Sequence, residues 1–327
     1  MEGIGSIVDI VFIKVKMNRV LIAFLSVVVC IITTYSCKQA NDSAFHGTVT
    51  ITSDESLQPM VEQLCQGYVG THAGTKFNVR YLPEHLAIAK VMEDSSRLAF
   101  VTRELTTSEQ NVFKTRGIRY SPQFIAIDGL ALLTSKTNED SLITLKEVEG
   151  IFKGQIKNWS QLEGSQQTKD IVLVFDNANS SNLNFVMNKF GLTDLKGLQI
   201  FSAGSNKKVI DYVRQNPNAL GFIGVNWISD GEVPLTAELS KGLRVLAVSD
   251  KEKPTRQDYY QPFQQNLRFG NYPLARKVYI ISREMHAGLG SGLLNYIMRD
   301  VGSLIIEKCG LWPAKPFNRE VILKKEI

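Results

Sequence analysis

The chain has 327 residues, 44% of them hydrophobic and 21% charged, with 37 Lys plus Arg against 32 Asp plus Glu for a net charge of +5. That balance excludes a disordered, collagen-like or multi-span membrane chain, and the long basic runs of a nucleic-acid surface are missing. Four cysteines are too few for a disulfide scaffold and lack zinc-site spacing, while the length suits about two domains.

Residues 1–36 read as an export signal. Arg19 supplies a positive start, and residues 20–32 form an uncharged run of thirteen. A membrane span wants about 20 apolar residues, so this run fits the core of a signal peptide better. Small and polar residues then lead to Cys37. The pattern resembles a bacterial lipoprotein signal, in which that cysteine carries the lipid. An uncleaved anchor helix and an ordinary signal peptide are the alternatives, and Met17 offers a second start. All versions predict an exported chain at the cell envelope, periplasmic and lipid-anchored in the lipoprotein case. Residues 37–45 are polar and read as a tether. Cys65 and Cys309 are expected as two buried free thiols, with a bridge as the alternative.

From His46 onward, strand and helix patterns alternate. Residues 47–52 alternate apolar and polar, a strand signal. Met60, Leu64 and Tyr68 then share a helical face, with Pro59 in the first turn, where its missing N–H costs nothing. Residues 77–82 predict a second strand, 86–92 a short helix and 97–102 a third strand. Thr106 with Glu109 predicts a capping box opening the next helix. Residues 124–133 are apolar except for Asp128-Gly129. A second capping box, Thr144 with Glu147, opens a helix that stops at Gly154. Residues 171–175 predict a buried strand, followed by a helix on which Leu183, Val186, Met187 and Phe190 follow the i, i+3, i+4, i+7 rule. This order predicts an α/β protein with mostly parallel sheets. Without a Walker loop or Gly-x-Gly-x-x-Gly, no nucleotide or other cofactor is expected.

In such folds, turns at the carboxyl ends of strands form the binding crevice. Three turns qualify: Ser53-Asp-Glu-Ser-Leu57, Thr102-Arg-Glu-Leu105 and Asp176-Asn-Ala-Asn-Ser-Ser181. Helix amino termini with Ser or Asn side chains suit an oxyanion, and Arg103 adds a bidentate cation. Taken singly, each turn reads more simply as plain helix capping; it is the three together that point to an anion site. Ser180 or Ser181 as a hydrolase nucleophile is a weaker alternative, since no Gly-x-Ser-x-Gly elbow surrounds them. The four histidines are scattered, Glu84-His85 reads as a solvated loop pair, and Trp159, Trp227 and Trp312 read as packing residues.

Several segments together carry a family resemblance: Ile127-Asp-Gly-Leu-Ala-Leu-Leu133, Leu145-Lys-Glu-Val-Glu-Gly-Ile-Phe-Lys-Gly-Gln-Ile-Lys-Asn-Trp159, Ala219-Leu-Gly-Phe-Ile-Gly224, and Tyr272-Pro-Leu-Ala-Arg276 with the strand-like residues 277–281. In this order they resemble the phosphate-binding proteins of ABC transporters. The resemblance implies a two-lobed periplasmic-binding-protein fold of type II, with lobe one at 46–130 plus 270–327, lobe two at 131–269, and an oxyanion held between them. It implies a monomer that delivers phosphate or a related oxyanion to an ABC permease, with no enzymatic step, no metal and no nucleic acid. Carried over by position, the ligands are Ser56, the Leu57 amide, Arg103, Asn179, Ser180 and Ser181. Two departures stand out. Arg103 falls where the family has an aspartate that accepts a proton from phosphate, and Phe175-Asp176 falls where it has an arginine. Other anions (sulfate, molybdate, a phosphorylated small molecule) and a sensor or scaffold role stay open.

Overall fold

The computed structural model describes residues 42–229, 239 and 241–317. Cys37, the signal segment and the first part of the tether lie outside the described residues. Among the described residues no helix is long and apolar enough to cross a membrane.

The first half of the chain builds strand β1 (Gly47–Asp54), helix α1 (Gln58–Thr71), β2 (Thr75–Leu82), α2 (Glu84–Met92), β3 (Leu98–Val101) and α3 (Thr107–Thr115). Strand β4 (Gln123–Ser135) then crosses the molecule. Beyond it come β5 (Leu142–Thr144), α4 (Leu145–Phe152), β6 (Val172–Phe175), α5 (Ser181–Phe190), β7 (Ile200–Ser202), α6 (Asn206–Gln215) and β8 (Ala219–Gly224). The last part holds β9 (Leu243–Val245), β10 (Ala247–Ser249), α7 (Gln264–Arg268), β11 (Ala275–Ser282), α8 (Leu289–Ile297), α9 (Asp300–Lys308) and β12 (Trp312–Pro313).

The main sheet runs β2-β1-β3-β11-β4-β8-β6-β7, with β9 and β12 also on β4. It is mixed rather than mostly parallel. The βα units pair parallel (β1 with β2 and β3, β6 with β7 and β8), while every pair made by β4 or β11 is antiparallel. These two strands carry the chain out of its first half and back. β4 changes partners midway, from β11 along Gln123 to Gly129 to β8 along Leu130 to Leu133. The apolar cores divide at the same place: Ile51, Leu64, Phe100 and Ile280 pack on one side, Leu132, Trp159, Phe175 and Phe222 on the other.

Local signals account for most elements. α1 has its proline in the first turn and buries Met60, Val61, Leu64, Cys65 and Tyr68. Both capping boxes form, with Thr106 and Glu109 opening α3 and Thr144 and Glu147 opening α4. Gly154 ends the α4 segment at φ 70°, a conformation glycine adopts freely. Cys65 and Cys309 are buried in the same core as thiols rather than as a disulfide, and burial pushes the Cys65 thiol up to about 12. Trp159 and Trp227 are buried.

Gly221 in β8 is dictated by packing rather than by φ. A Cβ there would lie 2.5 Å from Val213 Cγ2 and 3.3 Å from Val209 Cγ1 of α6. Gly221→Ala is therefore expected to cost about 1–3 kcal/mol through overpacking, read as a lower urea midpoint at unchanged m-value. A variant as stable as the parent would mean that α6 moves off the sheet freely.

Candidate functional site

The loops after β1 and β6 meet where β4 changes partners. β1 ends in Asp54, whose carboxylate caps a short helical turn, Glu55–Leu57. Asp54 Oδ1 accepts the Ser56 N–H at 2.9 Å and the Ser56 hydroxyl. From the other half, the Ser181 hydroxyl donates to the same oxygen at 2.7 Å and lies 3.2 Å from Ser56 Oγ. Asp54, Ser56 and Ser181 are all buried. Three donors from opposite halves of the sheet thus converge on one carboxylate oxygen, the arrangement that holds an oxyanion oxygen in charge-assisted hydrogen bonds.

A buried ion pair backs this corner. Arg276, at the start of β11, reaches Asp128 Oδ2 through Nε at 2.9 Å and Nη2 at 2.8 Å, and its Nη2 donates to Ser56 Oγ at 3.0 Å. Its Nη1 is buried without a partner. Asp128 Oδ1 also accepts the Val225 N–H. Burial pushes the Asp128 carboxyl up, against the opposing pull of Arg276 and the backbone N–H groups. The Ser56 carbonyl accepts from Asn226 Nδ2 at 2.9 Å and Trp227 Nε1 at 3.0 Å. Gly224 sits against this knot, where a Cβ would meet Asn226 Nδ2 at 2.9 Å.

The corner is rich in carboxylates. Asn177 Nδ2 bridges Glu55 and Asp176 at 3.0 and 3.1 Å, while Asp176 Oδ1 and Asn182 Oδ1 are buried without partners. Burial pushes the Glu55 carboxyl up, and the charges of Asp176 and Asp54 add to it. Asp176 is also pushed up, by burial first, with Asp54 adding to it against the Ser180 hydroxyl.

The sequence-marked residues fall in different settings. Ser56 and Ser181 come together on Asp54. Leu57 is buried in the core. Ser180 Oγ accepts the Asn182 N–H and caps α5. Asn179 is exposed, its N–H bonded to Asn177 Oδ1. Arg103 is engaged elsewhere: it forms a bidentate pair with Glu109 at 2.7 and 2.9 Å, an Nε contact with Glu84 at 3.1 Å, and a bond to the Glu104 carbonyl. Glu84 is not a solvated loop residue. It is buried and accepts the Thr102 N–H and hydroxyl at 2.6 and 2.8 Å, because β3 ends directly against the start of α2.

The sequence did not mark Arg276, Asp128, Asn226 or Trp227 for this corner. Its one signal was Asp128 interrupting an apolar run, a charge that demands a buried partner. Elsewhere, Asp42, Glu284 and His286 bring their side-chain atoms within 4.8 Å of one another. Arg97 pairs with both carboxylates at 3.4 and 3.5 Å, and the Leu289 and Gly290 N–H groups bond to them. The group therefore acts as a charged cap on α8.

Fold and corner define an α/β protein with a buried polar corner where two sheet halves meet. The chain belongs to the periplasmic-binding-protein (PBP) superfamily: the PBP superfamily domain matches residues 38–301. It is 19% identical over 260 residues to the phosphate-binding protein PstS of Staphylococcus epidermidis, covering 78% of this chain and 76% of that protein. Over 287 residues it is 21% identical to PstS of Borreliella burgdorferi, covering 84% and 92%. Among solved structures, a substrate-binding protein with bound phosphate from Clostridium perfringens has a TM-score of 0.68 at 21% identity, over 82% of this chain and 100% of that one. An ABC-type phosphate transport receptor from Vibrio cholerae has a TM-score of 0.60 at 22% identity, over 81% and 99%. At these identities the structures establish a shared fold.

Proposed function

We propose that the chain is an exported solute-binding protein that captures inorganic phosphate, or a related tetrahedral oxyanion, for an ABC transporter permease. The observation that carries this reading is the convergence of the Ser56 N–H and the Ser56 and Ser181 hydroxyls on one anionic oxygen. The names of the relatives supply the ligand class. In this reading Ser56, the Leu57 amide and Ser181 contact the anion, Asn179 and Ser180 line its turn, and Arg103 lies at the rim. The halves joined by β4 and β11 act as lobes that close on the ligand by hinge motion. A Cys37 lipid anchor, an envelope location and a monomeric state belong to the same proposal.

The carboxylates favour phosphate over sulfate or molybdate. Glu55 and Asp176 offer acceptors to a ligand that carries its own hydroxyl, and only repulsion to one that is fully ionised. Isothermal titration of the purified protein with phosphate, sulfate and molybdate tests the reading. Saturable one-site heat with phosphate, and little with the other two, is expected; no heat with any of the three would overturn it.

A further inference from the structure

We infer that Asp54 is an internal ligand: its carboxylate occupies the anion's seat, latches the two sheet halves together without solute, and competes with the incoming oxyanion. The inference rests on the oxyanion reading above for what the seat receives, but the latch itself stands on separate observations. Asp54 Oδ1 takes three hydrogen bonds, two from Ser56 and one from Ser181. The Ser181 bond joins the end of β1 to the start of α5, 127 residues away, and so spans the two halves. Asp54 is 2% exposed, Ser56 1% and Ser181 3%, so these donors have no second face open to solvent. A tetrahedral anion can use them only after the carboxylate leaves.

Charge makes the same point. Among the described residues Arg276 is the positive group bonded to the seat, and its Nε and Nη2 are already engaged with Asp128 and Ser56. With Asp54 in place, Glu55 and Asp176 crowd a second anion, and their carboxyls are already pushed up by burial and by the charge of Asp54. Once Asp54 swings out, the Ser56 N–H, both hydroxyls and the unpartnered Arg276 Nη1 become available together. The apparent affinity is then the intrinsic affinity multiplied by the fraction of molecules whose seat is vacant.

Two measurements on the purified protein and on Asp54→Ala test this. Small-angle scattering of phosphate-free samples reads closure directly, and the variant is expected to have the larger radius of gyration. Titration with inorganic phosphate is expected to give about tenfold tighter binding or more in the variant, since tenfold is what a seat occupied nine-tenths of the time implies. Thermal melting checks that Asp54→Ala folds. Should it not, Ser181→Ala cuts the cross-half bond from the other side and is expected to give the same expansion. Identical scattering of parent and variants would overturn the latch whatever phosphate does. Weaker phosphate binding by Asp54→Ala would overturn the competitor role and make Asp54 a ligand group. Expansion of the variant with no phosphate heat in either protein would support the latch and sink the phosphate reading.

Discussion

Replacing Arg276 by methionine is expected to destabilise the protein by about 3–5 kcal/mol, the usual cost of removing one partner of a buried ion pair. Its side chain is 1% exposed and that of Asp128 is 0%, so neither charge has water to fall back on. The change leaves Asp128 with only backbone N–H donors and removes a donor from Ser56 Oγ. Denaturant unfolding reads the loss. The penalty should shrink as pH falls, because burial already pushes the Asp128 carboxyl up and the variant lacks the guanidinium that opposes it. Protonation of Asp128 at low pH then relieves the uncompensated charge. The double change Asp128→Asn with Arg276→Met should cost less than Arg276→Met alone, since it removes both charges together. A loss below about 1 kcal/mol for Arg276→Met would mean that water reaches the pair.

This pair also marks where the sequence stops being informative. Caps such as Thr106 with Glu109 are legible because both partners lie within one helical turn, and their chemistry is complete locally. The same holds for the face of α1 and for the polar turns that end β1 and β6. The two halves of the corner are joined by contacts 97 to 220 residues apart, and no local pattern encodes which half-site meets which. Asp128 stood out as a charge in an apolar run, but its partner could not be read. Arg103 looked like the natural cation for an anion site because it closes a polar turn. Its neighbours Glu84 and Glu109 engage it first, one from the adjacent α2 and one from the capping box of α3. Glu109 thereby serves the Thr106 cap and Arg103 at once, a double role that the capping signal alone does not reveal. The resemblance placed Ser56 and Ser181 in one site, yet the carboxylate lying between them follows from the geometry alone.

Phosphate affinity is expected to fall about 10- to 100-fold when Ser181→Ala is introduced into the Asp54→Ala protein, and much less when it is introduced into the parent. A hydrogen bond to a charged group is worth about 1.5–3 kcal/mol, which sets the first figure. In the parent the same hydroxyl serves the Asp54 carboxylate before binding and the anion after it. Removing it weakens the competitor along with the ligand, and the two losses partly cancel. Arg103→Ala is expected to change affinity by less than about threefold in either background, because the guanidinium is held, and its charge offset, by Glu84 and Glu109. Titration of the four proteins made by combining Asp54→Ala and Ser181→Ala isolates the coupling between the two side chains. Equal Ser181→Ala losses in both backgrounds would mean that Asp54 and the anion do not share that donor. A loss from Arg103→Ala as large as that from Ser181→Ala would place the arginine on the anion, and would require that it leave Glu109 when the halves close.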